Sequence, residues 1–111
     1  MTVQDLINLN LFQLKNAGDD LERDITGPFC CDLLSVAMGK APAGCAWVTV
    51  MANINTLAVA SLTDAACVIL AEDASLDDAV LAKAKMQGIT LFATGLPIFD
   101  AALSIYEKLN P

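Results

Sequence analysis

The chain has no histidine. No Ser-His nucleophile pair can be built from it, and zinc loses its commonest nitrogen ligand. Positive charge is scarce as well: six Lys and Arg stand against thirteen Asp and Glu, for a net charge of −7. With no basic patch, nucleic acid and anionic membrane surfaces are disfavoured as partners. The four cysteines include no C-x-x-C pair; Cys30 and Cys31 are adjacent, and Cys45 and Cys67 stand alone in apolar runs. Neither a metal nor a cofactor is expected. The one Gly-Lys step, Gly39-Lys40, runs into Ala41 and lacks the upstream glycine of a phosphate-binding loop, so kinase machinery is missing. The opening residues, Met1-Thr2-Val3-Gln4-Asp5, lack the basic region of a signal peptide. Cytoplasm with reduced thiols is the expectation.

What the chain does have is apolar surface. Hydrophobic residues make up 56% of its 111 residues and charged residues only 17%. This length suits one domain, residues 1–111, that buries roughly two-thirds of its unfolded surface. From Ala41 to Thr63 there is no charged side chain. The run is long enough to cross a bilayer, but Pro42, Gly44, Asn53 and Asn55 interrupt it. It reads instead as a strand, Cys45–Met51, a polar step, Asn53-Ile54-Asn55, and a helix, Ile54–Leu62. A helix without charge on any face needs cover on more than one side.

Thr2 can cap a short helix over Val3–Asn8, with Asp5 completing a capping box. Leu9–Lys15 and Ile25–Phe29 are the first two expected strands. Asp32 is expected to open a helix that Gly39 ends. After the Cys45–Met51 strand and its helix, Ala66–Ala71 is a continuous apolar run, the pattern of a strand buried on both faces. Ser75 is expected to cap a helix reaching Gln87, with Gly88 as its stop. Ile89–Ala93 is the last strand, and Pro97 the first residue of a final helix. Strand and helix alternate from Cys45 onward, so the expected fold is a small three-layer α/β/α domain with a mainly parallel sheet.

Several stretches resemble the DRTGG domain family: Cys31-Asp32-Leu33-Leu34-Ser35 with Met38, Trp47-Val48-Thr49-Val50, Asn55-Thr56-Leu57-Ala58-Val59-Ala60, and Val68-Ile69-Leu70 onward to Thr94. The resemblance covers almost the whole length and lies in order and spacing. It implies a fold similar to the N-terminal domain of HPr kinase/phosphatase. It also implies a regulatory, dimer-forming role of the kind such domains have within phosphotransacetylases and CBS-domain pyrophosphatases, with some standalone versions beside hydrogenase genes. Two positions depart from the family pattern. Asn53 stands where relatives often carry a histidine, and Glu72-Asp73 where they often carry a glycine pair. Two acids at a pocket rim would repel phosphate.

Candidate ligand-binding residues follow from the rule that ligands collect beyond the carboxyl ends of parallel strands. They are Asn53, Asn55 and Thr56 at the strand-to-helix step, Thr94 after the last strand, and Asp32. The alternative is that Asn53 or Asn55 only caps the helix. No catalytic residue is assigned. The final helix carries two apolar stripes, Ile98/Ala101/Ala102/Ile105/Leu109 and Phe99/Leu103/Tyr106. One stripe suffices for docking on a sheet. The second, together with Leu57 of the uncharged helix, is expected at a homodimer interface, unless the N-terminal segment covers it. The functional expectation is a non-enzymatic regulatory module that binds a small polar or phosphorylated metabolite. The alternative is a protein-interaction subunit docking on a kinase or redox partner.

Overall fold

The computed structural model describes residues 1–111. Helix α1 (Val3–Asn8) begins at the expected capping box: the Asp5 amide donates to Thr2 Oγ1 at 3.1 Å, and the Thr2 amide donates to the Asp5 carboxylate at 2.9 Å. Strand β1 (Gln13–Asn16) starts later than Leu9. Leu9 is the C-cap of α1 and Asn10 turns through φ 54°, so the intervening residues reverse the chain. Strand β2 is Gly27–Cys30, two residues beyond its expected start. Helix α2 (Leu34–Lys40) runs through Gly39 and stops before Pro42, which holds Ala41 extended at ψ 120°. Asp32 does not cap α2.

Strand β3 (Cys45–Thr49) and helix α3 (Ile54–Leu62) match their expected positions closely. Strand β4 is Cys67–Leu70. Helix α4 (Asp78–Gln87) is capped by Asp77 rather than Ser75, through a 3.0 Å bond from the Val80 amide. Gly88 ends it at φ 66°; the Asp19 carboxylate lies where a Cβ would project, so a side chain there meets both strain and a clash. Strand β5 is Leu91–Ala93, and Pro97 precedes helix α5 (Ile98–Leu109) as its N-cap.

The sheet order is β1-β5-β4-β3-β2. Strands β2 to β5 are parallel, and β1 adds to β5 antiparallel. Side chains alternate between two cores because successive residues of a strand point to opposite faces. Ala46, Val48, Cys67, Ile69 and Phe92 meet Val3 and Leu6 of α1 and Ala101 and Ile105 of α5. Trp47, Val68, Leu70 and Leu91 meet Ala37 of α2, Leu57 and Ala60 of α3, and Val80 and Ala84 of α4. This is the expected three-layer α/β/α arrangement: α2, α3 and α4 on one face, α1 and α5 on the other. Every residue of β3 and β4 is buried. The indole N–H of Trp47, inside the larger helical layer, donates to the Cys31 carbonyl at 3.0 Å.

The cover demanded by the uncharged α3 comes from its own chain. It packs between α2 and α4 in the middle of its layer. Leu57 is 1% exposed and belongs to the protomer's interior. The expectation that Leu57 meets a second subunit is therefore corrected: a central helix is flanked on both sides before any partner arrives.

Candidate functional site

The polar step after β3 is closed by hydrogen bonds within the chain. The Asn53 side-chain oxygen accepts from the amides of Asn55 and Thr56 at 2.9 and 3.2 Å, so it occupies the free donors at the start of α3. Thr56 is fully buried, and its hydroxyl donates to the Met51 carbonyl at 2.6 Å. Asp32 ties the end of β2 to the end of β3: one carboxylate oxygen accepts from the Thr49 hydroxyl at 2.7 Å and the Val50 amide at 3.0 Å. Asn55 is exposed and lines no cleft. Of the five candidates, Asp32, Asn53 and Thr56 thus hold loops and helix ends in place.

Thr94 lies elsewhere. Strand β4 separates β5 from β3, so the expected rim joining Thr94 to Asn53 does not form. Thr94 instead lines a cleft of about 470 Å³ with Asp73, Ala74, Leu76, Ala93 and Gly95, closed on the far side by Leu11, Phe12, Gln13 and Lys15. This volume falls in the range of about 300–1,000 Å³ usual for small-molecule sites. Topology explains its position. The chain leaves β4 toward α4 on one face of the sheet and leaves β5 toward α5 on the other. Adjacent strands whose connections depart to opposite faces open a crevice at their carboxyl ends. After β2, β3 and β4, all three connections depart to the same face, and no such crevice opens beside Asn53.

Two local distortions shape the cleft. Glu72 and Asp73 are consecutive residues at φ 58° and 56°, a left-handed pair that L side chains adopt at a cost. Backbone bonds hold them: Glu72 N–H to the Leu96 carbonyl at 2.9 Å and Asp73 N–H to the Thr94 carbonyl at 3.1 Å. The turn sends the two carboxylates to different tasks. Glu72 accepts from the Ile98 amide at 3.4 Å, at the start of α5, where negative charge is favoured. Asp73 leans over Gly95, its oxygens 3.1 and 3.2 Å from where a Cβ would stand. The second distortion is a register shift in β1 between Leu14 and Asn16. Such a bulge re-aims side chains, and Lys15 lies inside it, among the cleft residues.

Lys15 and Asp73 form no ion pair with each other; the chain's salt bridge is Arg23–Asp64, at 2.8 Å near the amino ends of β3 and β4. The Thr94 hydroxyl oxygen accepts from the Leu96 amide at 3.2 Å, which leaves its proton to donate. The cleft therefore presents one ammonium, one carboxylate, one hydroxyl and the Gln13 carboxamide beside its apolar residues. Lys15, Gln13 and Gly95 escaped the sequence reading. Besides Thr94, the position at Glu72-Asp73 where the resemblance expects a glycine pair pointed to this spot, since positions that favour glycine are those needing positive φ.

The thiols stand away from this cleft. Burial pushes the Cys45 thiol up to about 11 and raises Cys67 further, with the nearby Cys45 adding to it. Cys30 is raised as well, by burial first and by the Asp32 charge second. A raised thiol stays protonated and is a poor nucleophile. No cluster of three or more cysteine and acidic side chains is placed to hold a metal ion, and no helix is long and apolar enough to cross a membrane.

Helix α5 separates its two stripes as expected. Ala101 and Ile105 are fully buried with α1 in the smaller helical layer. Phe99, Leu103 and Tyr106 face outward at 70%, 39% and 54% exposure, so the N-terminal helix does not cover them.

No protein-family model matches the sequence, and no curated protein matches it.

Proposed function

We propose that this chain is a ligand-binding regulatory module, in keeping with its resemblance to DRTGG domains, and that its site is the cleft beyond β4 and β5. The observation carrying this reading is the switch-point crevice itself: about 470 Å³, with Lys15, Asp73 and Thr94 among its lining residues. The reading is one of binding without turnover. Its support is the chemistry of the lining, which holds one amine, one carboxylate, one hydroxyl and one carboxamide but neither imidazole nor thiol. A binding event here would reach α5 directly, because the loop carrying Asp73 also carries Glu72, which meets the first turn of that helix.

The test is an amide NMR titration against a panel of nucleotides, sugar phosphates, carboxylates, amines and amino acids. Binding at the cleft is expected to move Lys15, Asp73, Thr94 and Gly95 while leaving 53–56 in place. Shifts confined to 53–56 would restore the site at the β3–α3 step and remove this one.

A second reading is favoured by α5. Its outer stripe is exposed over about two turns and suits a homodimer or a docked partner protein. Replacing both Phe99 and Leu103 with Asp is expected to change stability by no more than about 0.5 kcal/mol, as for surface sites generally. Sedimentation at 11.7 kDa for the double variant, with a larger species for the parent, is the result expected of a dimer. Sedimentation of the parent itself at 11.7 kDa at micromolar concentration would end the dimer reading.

A further inference from the structure

We infer that the cleft takes a small zwitterion, specifically a free α-amino acid. The inference rests on the cleft being a ligand site and adds the class of ligand. Lys15 and Asp73 supply opposite charges to one space, and neither is spent on the other. A carboxylate fits the Lys15 ammonium and the Thr94 hydroxyl proton. An ammonium fits the Asp73 carboxylate.

Other ligand classes fit less well. A phosphorylated metabolite brings two or more negative charges to a protein of net charge −7, into a cleft with a single cation and with Asp73 on its wall. A simple amine meets the Lys15 ammonium. A simple carboxylate leaves Asp73 unused and forgoes the attraction that a ligand ammonium would add. A molecule bearing both charges on one carbon satisfies both groups, and its neutrality overall avoids repulsion by the surrounding acid. The architecture allows this pairing only because the Leu14–Asn16 bulge and the Glu72–Asp73 turn act on opposite walls.

The test titrates the 111-residue chain with L-leucine, using isocaproate and isopentylamine as probes that keep only one charge each. Leucine is expected to shift the amides of Lys15, Asp73, Thr94 and Gly95 with a saturable curve, and each single-charge probe to bind at least about tenfold more weakly, the loss of one charge-assisted hydrogen bond. Lys15→Gln and Asp73→Asn should each weaken leucine by a similar factor. Both variants keep the fold: Lys15 is partly exposed and lies outside the core, and asparagine adopts the left-handed conformation readily. Equal binding of leucine and one of its single-charge analogues would overturn the zwitterion assignment. So would cleft shifts produced by phosphorylated compounds but not by leucine, although the cleft would then stand as a ligand site. No cleft shift with any compound of either panel would remove both.

Discussion

The carboxyl ends of β3 and β4 make an instructive pair. The two strands are neighbours, both wholly buried, and each feeds a helix of the same layer. At the end of β3, three polar side chains turn inward on the chain: Asp32 onto Thr49 and Val50, Asn53 onto α3, Thr56 onto Met51. After β4, two residues are held left-handed, and a carboxylate is left facing a cleft with an ammonium on its far wall. A junction that satisfies its own donors and acceptors has nothing left to offer a ligand. One that carries backbone strain and unpaired charge is where a ligand is to be sought. Polar residues at a strand end are thus a poor guide to a site until their hydrogen bonds have been traced.

This contrast can be broken or sharpened by measurement. The largest effect is expected beneath the closed junction. Leu57→Ala should cost about 2–5 kcal/mol in urea unfolding, as a core truncation does, with no change in oligomeric state. A shift in sedimentation without loss of stability would return Leu57 to an interface.

Asn53→Ala should cost about 1 kcal/mol, the loss of a side-chain cap, and leave cleft binding unchanged. If it abolished binding while stability held, the closed junction would be the site after all.

At the open junction the sign reverses. Glu72→Gly should stabilise the fold by about 0.5 kcal/mol, because relief of the left-handed backbone exceeds the added chain entropy and the weak Ile98 contact that is lost. Destabilisation by more than that would mean that the carboxylate at the start of α5 outweighs the strain.

The smallest effect near neutrality comes from the thiols at the amino ends of β3 and β4. Their folded values lie above the ordinary 9.0. The stability they contribute is complete below pH 9.0 and is lost as pH rises, through about 11 for Cys45. Urea midpoints that stay flat from pH 7 to 9 and fall above it are the expected profile. Cys45→Ala should flatten part of that fall, and an unchanged alkaline slope in the variant would assign it to other groups.

Sequence patterns located most elements, because their signals are local. A capping box needs only Thr2 and Asp5, three residues apart. A glycine stop needs only Gly88 at the end of α4. The misplacements came where distant residues intervene. Asp32 looked like a helix cap because it precedes an apolar run, but β3 lies beside it and offers Val50 N–H and the Thr49 hydroxyl. Ser75 gave way to Asp77 because residues 71–76 are drawn across to β5 by the Glu72 and Asp73 bonds to Leu96 and Thr94. Within the candidate site, Thr94 was legible as a strand-end residue. Lys15 was not, since its place depends on β1 pairing with β5, over seventy residues away in sequence, and on the bulge in that pairing.

The amino-acid order by itself determined the alternation of buried strands and helices, and hence the layered fold, since periodicity and caps act within a few residues of one another. Only the tertiary structure decided that α3 is covered by α2 and α4. It alone decided that the crevice opens between β4 and β5, with Lys15 opposite Asp73. Those outcomes follow from which face each connection takes and how an edge strand registers, and no local pattern encodes either.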